Sequence, residues 1–182
     1  DLLGIIVLGV TTAVGGGMIR DLIIGIHPPT LFVKPVYVWM AFLSVFLLFI
    51  IVRFCRITIE VLESDLYERV MNLLDAIGLG AFTVVGIDTA IEAGFGDYRF
   101  LMIFLGTITG VGGGILRDIM AGQTPAVLKK HVYACASIAG AVCYVSLLNL
   151  LDNDLSMIVS ALLVVIIRIL ARKYRWNLPT AM

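Results

Sequence analysis

Arginine followed by aspartate occurs twice within apolar runs of this sequence, each time three residues after a glycine triplet. Gly15, Gly16 and Gly17 precede Arg20 and Asp21; Gly112, Gly113 and Gly114 precede Arg117 and Asp118. Ionisable groups held at such depth mark ion or proton pathways, or are paired to lock a structure, and both roles fit these pairs. Three successive glycines in a helix cost about 1 kcal/mol each relative to alanine and loosen the backbone hydrogen bonding. In lipid that is tolerated where the backbone packs on protein or lines a wet cavity. Close helix packing is the commoner use of glycine, but a triplet present twice exceeds its needs. Both helices are therefore expected to break at the triplet and turn carbonyls or helix ends toward a permeating ion. Each Arg–Asp pair then lies about 6 Å along the axis from its central glycine. Adjacent helical residues point about 100° apart, so each arginine is expected to find an anion other than its own neighbour, or a set of carbonyls.

Candidate partners lie in the run 70–93, where Asp75 sits near one end and Asp88 near the other. Matching depths pairs Asp75 with Arg117 and Asp88 with Arg20. Lys34 and Lys130 hold equivalent places before the second and fifth apolar runs. They suit anionic headgroups first, and closure of two pathway mouths second. Tyr37, Trp39, Tyr133, Tyr174 and Trp176 fit an aromatic belt. No nucleophile–base set, phosphate loop or metal-ligand spacing is present, so no enzymatic activity and no metal site are expected. His27 and His131 are far apart, and Cys55, Cys135 and Cys143 read as small buried apolar residues.

The elements that must carry these residues follow from composition. Of 182 residues 60 % are hydrophobic and 14 % charged, against roughly 45–50 % and about 25 % in soluble domains. Mean hydropathy is +1.06. A soluble fold of this size cannot bury so much apolar surface, which excludes a nucleic-acid binder, a disordered chain and a disulfide scaffold. Six stretches reach spanning length, at 2–25, 36–55, 70–93, 99–122, 132–151 and 155–171. Arg168 falls near the end of the last, where it can snorkel to the interface. Residues 53–70 read as an interfacial helix or linker. Thirteen basic and thirteen acidic residues balance, yet alternate loops do not share them equally. One side receives Arg53, Arg56, Arg69, Lys129, Lys130, Arg172, Lys173 and Arg175; the other receives only Lys34 and Arg99. The positive-inside rule places the C-terminus in the cytoplasm.

The glycine–arginine–aspartate segments belong to a longer duplication. GVTTAVGGGMIRDLIIGIHP at 9–28 aligns without a gap to GTITGVGGGILRDIMAGQTP at 106–125, and KPVY at 34–37 meets KHVY at 130–133. The copies fall in spans one and four, an odd number of crossings apart, so they run in opposite senses. That is an inverted repeat, an arrangement that places a conduction or substrate site near the midplane. The second copy has a helix before its triplet that the first copy lacks, so symmetry predicts a seventh helix ahead of residue 1. The expected organisation is a first repeat over 1–55, a linker over 56–69, a second repeat over 70–151, and a final helix and cytoplasmic tail over 152–182.

A duplicated GGGxxRDxxxGxxP in a three-plus-three inverted repeat with a final helix resembles the prokaryotic TRIC (trimeric intracellular cation) channels. Some bacterial members of that group carry a glycine-transporter label. The resemblance covers essentially the whole chain, apart from the family's first helix. It implies an all-α polytopic membrane protein that forms a homotrimer in the bacterial inner membrane. Each protomer would then have its own pore for monovalent cations, chiefly potassium, with no cofactor and with room for bound lipid. Carried onto this chain, the two triplets would expose carbonyls and act as hinges, while Arg20, Asp21, Arg117 and Asp118 would gate or clamp. A secondary transporter of a small zwitterion such as glycine suits an inverted repeat equally well, and is kept as the alternative.

Overall fold

The computed structural model describes residues 2–54, 65–129 and 132–176. Among them the chain is helical, with no strand. Helix α1 (Leu2–Ile24) is followed by the single turn α2 (Thr30–Val33) and by α3 (Val36–Phe54). Helix α4 (Asp65–Ala90) runs into a π-helical turn (Ile91–Phe95), inside which Gly94 takes φ 86°. Then come α5 (Arg99–Met120), the short α6 (Ala126–Lys129), α7 (Tyr133–Leu147) and α8 (Asn153–Lys173).

Four helices, counting α4 with its π-helical turn, are long and apolar enough to cross a membrane: Leu2–Ile24, Asp65–Phe95, Arg99–Met120 and Asn153–Lys173. The apolar parts of α3 and α7 are shorter, at Val36–Ile51 and Tyr133–Leu147. Every stretch of expected spanning length is thus helical, and the protein is an integral membrane protein. The boundaries moved most at two places. α4 begins at Asp65 rather than 70, with Asp65 and Glu68 in its first turn, where acidic side chains suit the helix dipole. α7 stops at Leu147. Of the expected linker 56–69, residues 65–69 are the opening turns of α4 and 56–64 lie outside the described residues. Glu68 is tied to the far end of the chain, since Arg172 donates to its carbonyl at 2.8 Å and to its carboxylate at 3.1 Å.

The core lies among α4, α5, α7 and α8. One cluster joins Val84, Ile87 and Ala90 to Met102, Leu105, Ala141, Tyr144 and Val145; a second joins Leu79, Val111, Tyr133, Ala136 and Val164. Small residues set the spacing. The backbone of Gly80 lies against that of Ala161, and Gly140 lies against Val164. Thr83 and Ser137 share a buried hydroxyl hydrogen bond of 2.7 Å. α1 lies across α5, and α3 packs on α1. Among its described side chains α3 buries only Ala41 and exposes Trp39, Met40, Leu43, Leu47 and Leu48. An aliphatic and aromatic face of that kind is what lipid or other membrane-embedded protein covers.

Candidate functional site

The two glycine triplets meet each other. Gly16 faces the backbone of Thr109 so closely that a methyl group there would overlap its carbonyl oxygen. Gly113 faces the carbonyl of Thr12 in the same way. These contacts are reciprocal, because residues 12 and 16 correspond to 109 and 113 in the duplication. Gly15 and Gly112 complete the crossing, against the Cα of Gly113 and the Cα of Gly16, at 3.5 Å and 3.2 Å from a built Cβ. Thr12 and Thr109 turn their hydroxyls to the carbonyls of Leu8 and Leu105, at 2.7 Å and 2.6 Å, and so add no unsatisfied donor to the contact.

The expected break is absent. α1 and α5 run unbroken through both triplets. The reason is physical: backbone laid on backbone across the crossing is covered by protein, so the carbonyls need not leave their helical partners to be satisfied. The first two glycines of each triplet are buried by this contact, while the third, Gly17 or Gly114, is only partly covered.

Something else occupies the third position. A Cβ built at Gly17 would lie 3.6 Å from the Nη2 of Arg20, and one at Gly114 would lie 3.8 Å from the Nη2 of Arg117. Helical side chains lean toward the N-terminus and cover the residue three or four positions earlier. Each guanidinium therefore lies back along the bare strip that its glycine leaves.

Each arginine also pairs with its own aspartate, contrary to the expectation from ideal helical directions. Arg20 donates from Nε and Nη2 to Oδ1 of Asp21, at 2.9 and 2.7 Å. Arg117 does the same to Asp118, both at 2.9 Å. The 100° separation is overcome because one carboxylate oxygen takes both donors and the helix is ending there. Gly25 and Gly122 close α1 and α5 with φ of 77° and 66°. The amides of Ile26 and Gln123 then return to the carbonyls of Asp21 and Asp118, at 2.9 and 2.8 Å. This is the Schellman closure, with the aspartate three residues before the helix cap. With the following turn gone, the carboxylate is free to swing. Its second oxygen accepts the amide N–H that opens the next short helix, Thr30 for Asp21 and Ala126 for Asp118, at 2.7 Å in each case. The repeated RDxxxGxxP is thus a helix stop with a carboxylate latch. The latches differ in exposure: the side chains of Arg20 and Asp21 are 7 % and 1 % accessible, those of Arg117 and Asp118 37 % and 10 %.

Asp75 and Asp88 have other partners than those expected. Asp75 accepts from the hydroxyl of Tyr133 at 3.1 Å and pairs with Arg168 at 3.3 Å, while that guanidinium sits 4.6 Å from the Tyr133 ring centre. Asp88 accepts from Asn153 Nδ2 at 2.9 Å and lies 3.4 Å from the hydroxyl of Tyr144, which donates to Asn153 Oδ1 at 2.8 Å. Both aspartates thus fasten α4 to α7 and α8 and make no ion pair with Arg20 or Arg117. The expected partners are replaced because side chains of α7 and α8, not the arginines of the glycine helices, meet the two aspartates of α4. Lys34 is exposed at the end of α2; Lys130 lies outside the described residues. Cys135 is exposed and Cys143 half-buried, rather than both buried.

Arg168 is not the snorkelling side chain, nor Tyr133 the belt aromatic, that the sequence suggests: Arg168 is largely buried and Tyr133 lies in the core. A usable signal existed. Neither Arg168 nor Asp75 has an opposite charge three or four residues away on its own helix, so in an apolar setting each required a partner from another helix. At the other end of the bundle, Tyr144→Phe should cost about 1 kcal/mol, one hydrogen bond, because Asp88 and Asn153 keep each other. Thermal unfolding in detergent measures it; a loss as large as that from Asp88→Ala would mean that the tyrosine carries the cluster.

The sequence and the helical architecture both have known counterparts. A family model described as a glycine transporter matches residues 1–53 and 72–149. UPF0126 membrane protein YvgT of Bacillus subtilis (strain 168) is 34 % identical over 179 residues, which is 98 % of this chain and 83 % of that protein. UPF0126 inner membrane protein YadS of Escherichia coli (strain K12) is 34 % identical over 183 residues, 99 % of this chain and 83 % of that protein. Among solved structures, one described as the structural basis for conductance through TRIC cation channels superposes with a TM-score of 0.86. Its identity is 36 %, over all of this chain and 85 % of that one. The chain belongs to the TRIC family. A prokaryotic TRIC channel crystallised in 0.5 M KCl gives a TM-score of 0.82 at 29 % identity, over 98 % of this chain and 85 % of the other. A TRIC orthologue from Rhodobacter sphaeroides gives 0.77 at 26 %, over 97 % and 96 %. The superpositions span the helices that carry the triplet crossing, both latches and the α4–α7–α8 bundle.

Proposed function

We propose that this TRIC-family protein is a cation channel that passes potassium through each protomer of a homotrimer, along the crossing of α1 and α5. The superposition on a TRIC cation channel over the whole chain carries the reading. The crossing supports it locally: it leaves two half-open glycines, each beside an arginine held at a helix end. Fixed positive charge beside a narrow bare strip suits control of cation passage by position, since moving the guanidinium changes both the free width and the local potential. In the bacterial inner membrane, with the C-terminus inside, Arg117 would face the cytoplasmic half and Arg20 the external half.

The description of the matching family model favours a second reading, a carrier of glycine. Purified protein in liposomes separates the two. The channel reading expects potassium efflux under a gradient with no added solute, at rates beyond a carrier cycle, and no glycine counterflow. Saturable glycine exchange without potassium flux would establish the carrier instead.

A further inference from the structure

We propose that Asp21 and Asp118 are positioning residues that couple the arginine over each third glycine to the short helices α2 and α6, so that movement of those two turns sets how open the path is. The proposal rests on the reading that cations pass the third glycines, and adds how that passage is regulated.

Each carboxylate is divided between two jobs. Oδ1 holds the guanidinium and Oδ2 holds the first amide of the following short helix, in both copies and at nearly the same distances. Among the described residues Arg20 and Arg117 have no other carboxylate within ion-pair distance. The two oxygens of a carboxylate are rigidly linked, so shifting α2 or α6 shifts Oδ2, and Oδ1 must follow or give up one bond. The guanidinium then slides along the strip above Gly17 or Gly114, where no side chain blocks it. The remainder of each aspartate is anchored, since its own carbonyl closes the Schellman turn. Only the side chain is free to transmit the motion. The receiving turns are small and lightly held: α2 and α6 have four residues each. They also leave Phe32, Val33 and Leu128 exposed.

The relay can be cut without touching any charge. Thr30→Pro and Ala126→Pro remove the amide donor, the first with loss of the threonine hydroxyl as well, and proline is favoured at the first position of a helix. Pro29 already has ψ 147°, the extended conformation that a residue before proline needs. Single-channel recording of the full chain in planar bilayers should show open probability shifted about fivefold in each variant, the effect of one hydrogen bond on a two-state equilibrium. Unitary conductance and cation selectivity should stay at the wild-type values. Asp21→Asn, which keeps an acceptor for the arginine but sets an amide against a donor, should shift open probability in the same direction as Thr30→Pro. Wild-type gating in both folded proline variants would overturn the proposal, and so would a change in unitary conductance, which would make the latch part of the conducting path. Loss of folded protein in both would also count against it, by making the bond a folding contact and not an adjustable one. Absence of current in the wild type would instead overturn the channel reading itself.

Discussion

Gly16→Ala and Gly113→Ala should each destabilise the protein, while Gly17→Ala and Gly114→Ala, one residue further along, should leave it equal or slightly more stable. At Gly16 and Gly113 the added methyl meets a backbone carbonyl of the opposite helix inside any real contact distance. A backbone cannot rotate away, so the helices must part by on the order of 1 Å and lose the dispersion contacts of the whole crossing. Overpacking of that kind costs about 3 kcal/mol, or on the order of 10 °C in the unfolding midpoint for a chain of this size. At Gly17 and Gly114 the nearest atom is a guanidinium nitrogen at 3.6 or 3.8 Å, an ordinary contact. There alanine adds helix propensity of up to about 1 kcal/mol. Thermal unfolding of the four variants in one detergent decides it. Equal effects at adjacent positions would show that the triplets are not divided between packing and the arginine.

The second large effect concerns the latches. Asp21→Ala strands a guanidinium that is 7 % accessible and also removes the cap on α2. Leaving a buried charge without its partner costs about 3–5 kcal/mol. Asp118→Ala removes the equivalent ion pair and cap, but Arg117 is 37 % accessible and can rehydrate, so the loss should be nearer 1 kcal/mol, the value of a helix cap with an exposed ion pair. Combining Asp21→Ala with Arg20→Met should recover most of the loss, because the charge goes with its partner. The check is the midpoint of unfolding and the yield of monodisperse protein. A penalty as large for Asp118 as for Asp21, or no recovery in the double variant, would contradict the burial argument.

The duplicated motif made the centre of the fold legible, because Gly, Arg, Asp, Gly and Pro recurring in register cannot arise from apolar composition. It located the residues that meet and the helices that carry them. What the glycines do was not legible: whether a bare backbone faces water or another backbone depends on which helix crosses it, and the sequence does not state that the two copies cross each other. The Arg–Asp pairing departs from the sequence expectation for a related reason. Ideal side-chain directions hold in mid-helix, whereas Asp21 and Asp118 stand in last turns closed by Gly25 and Gly122, where a carboxylate can reach both ways. The partners of Asp75 and Asp88 depended on α7 and α8 flanking α4, a tertiary fact with one sequence trace, the locally unpaired Arg168.

Single-channel recording of Gly114→Cys, with Cys55, Cys135 and Cys143 replaced by serine, tests most directly whether cations pass the third glycine in each protomer. Addition of a small positively charged thiol reagent should lower the potassium current of the proposed trimer in three equal steps, one for each protomer modified. An unchanged current, with mass spectrometry showing complete modification, would mean that the path runs elsewhere.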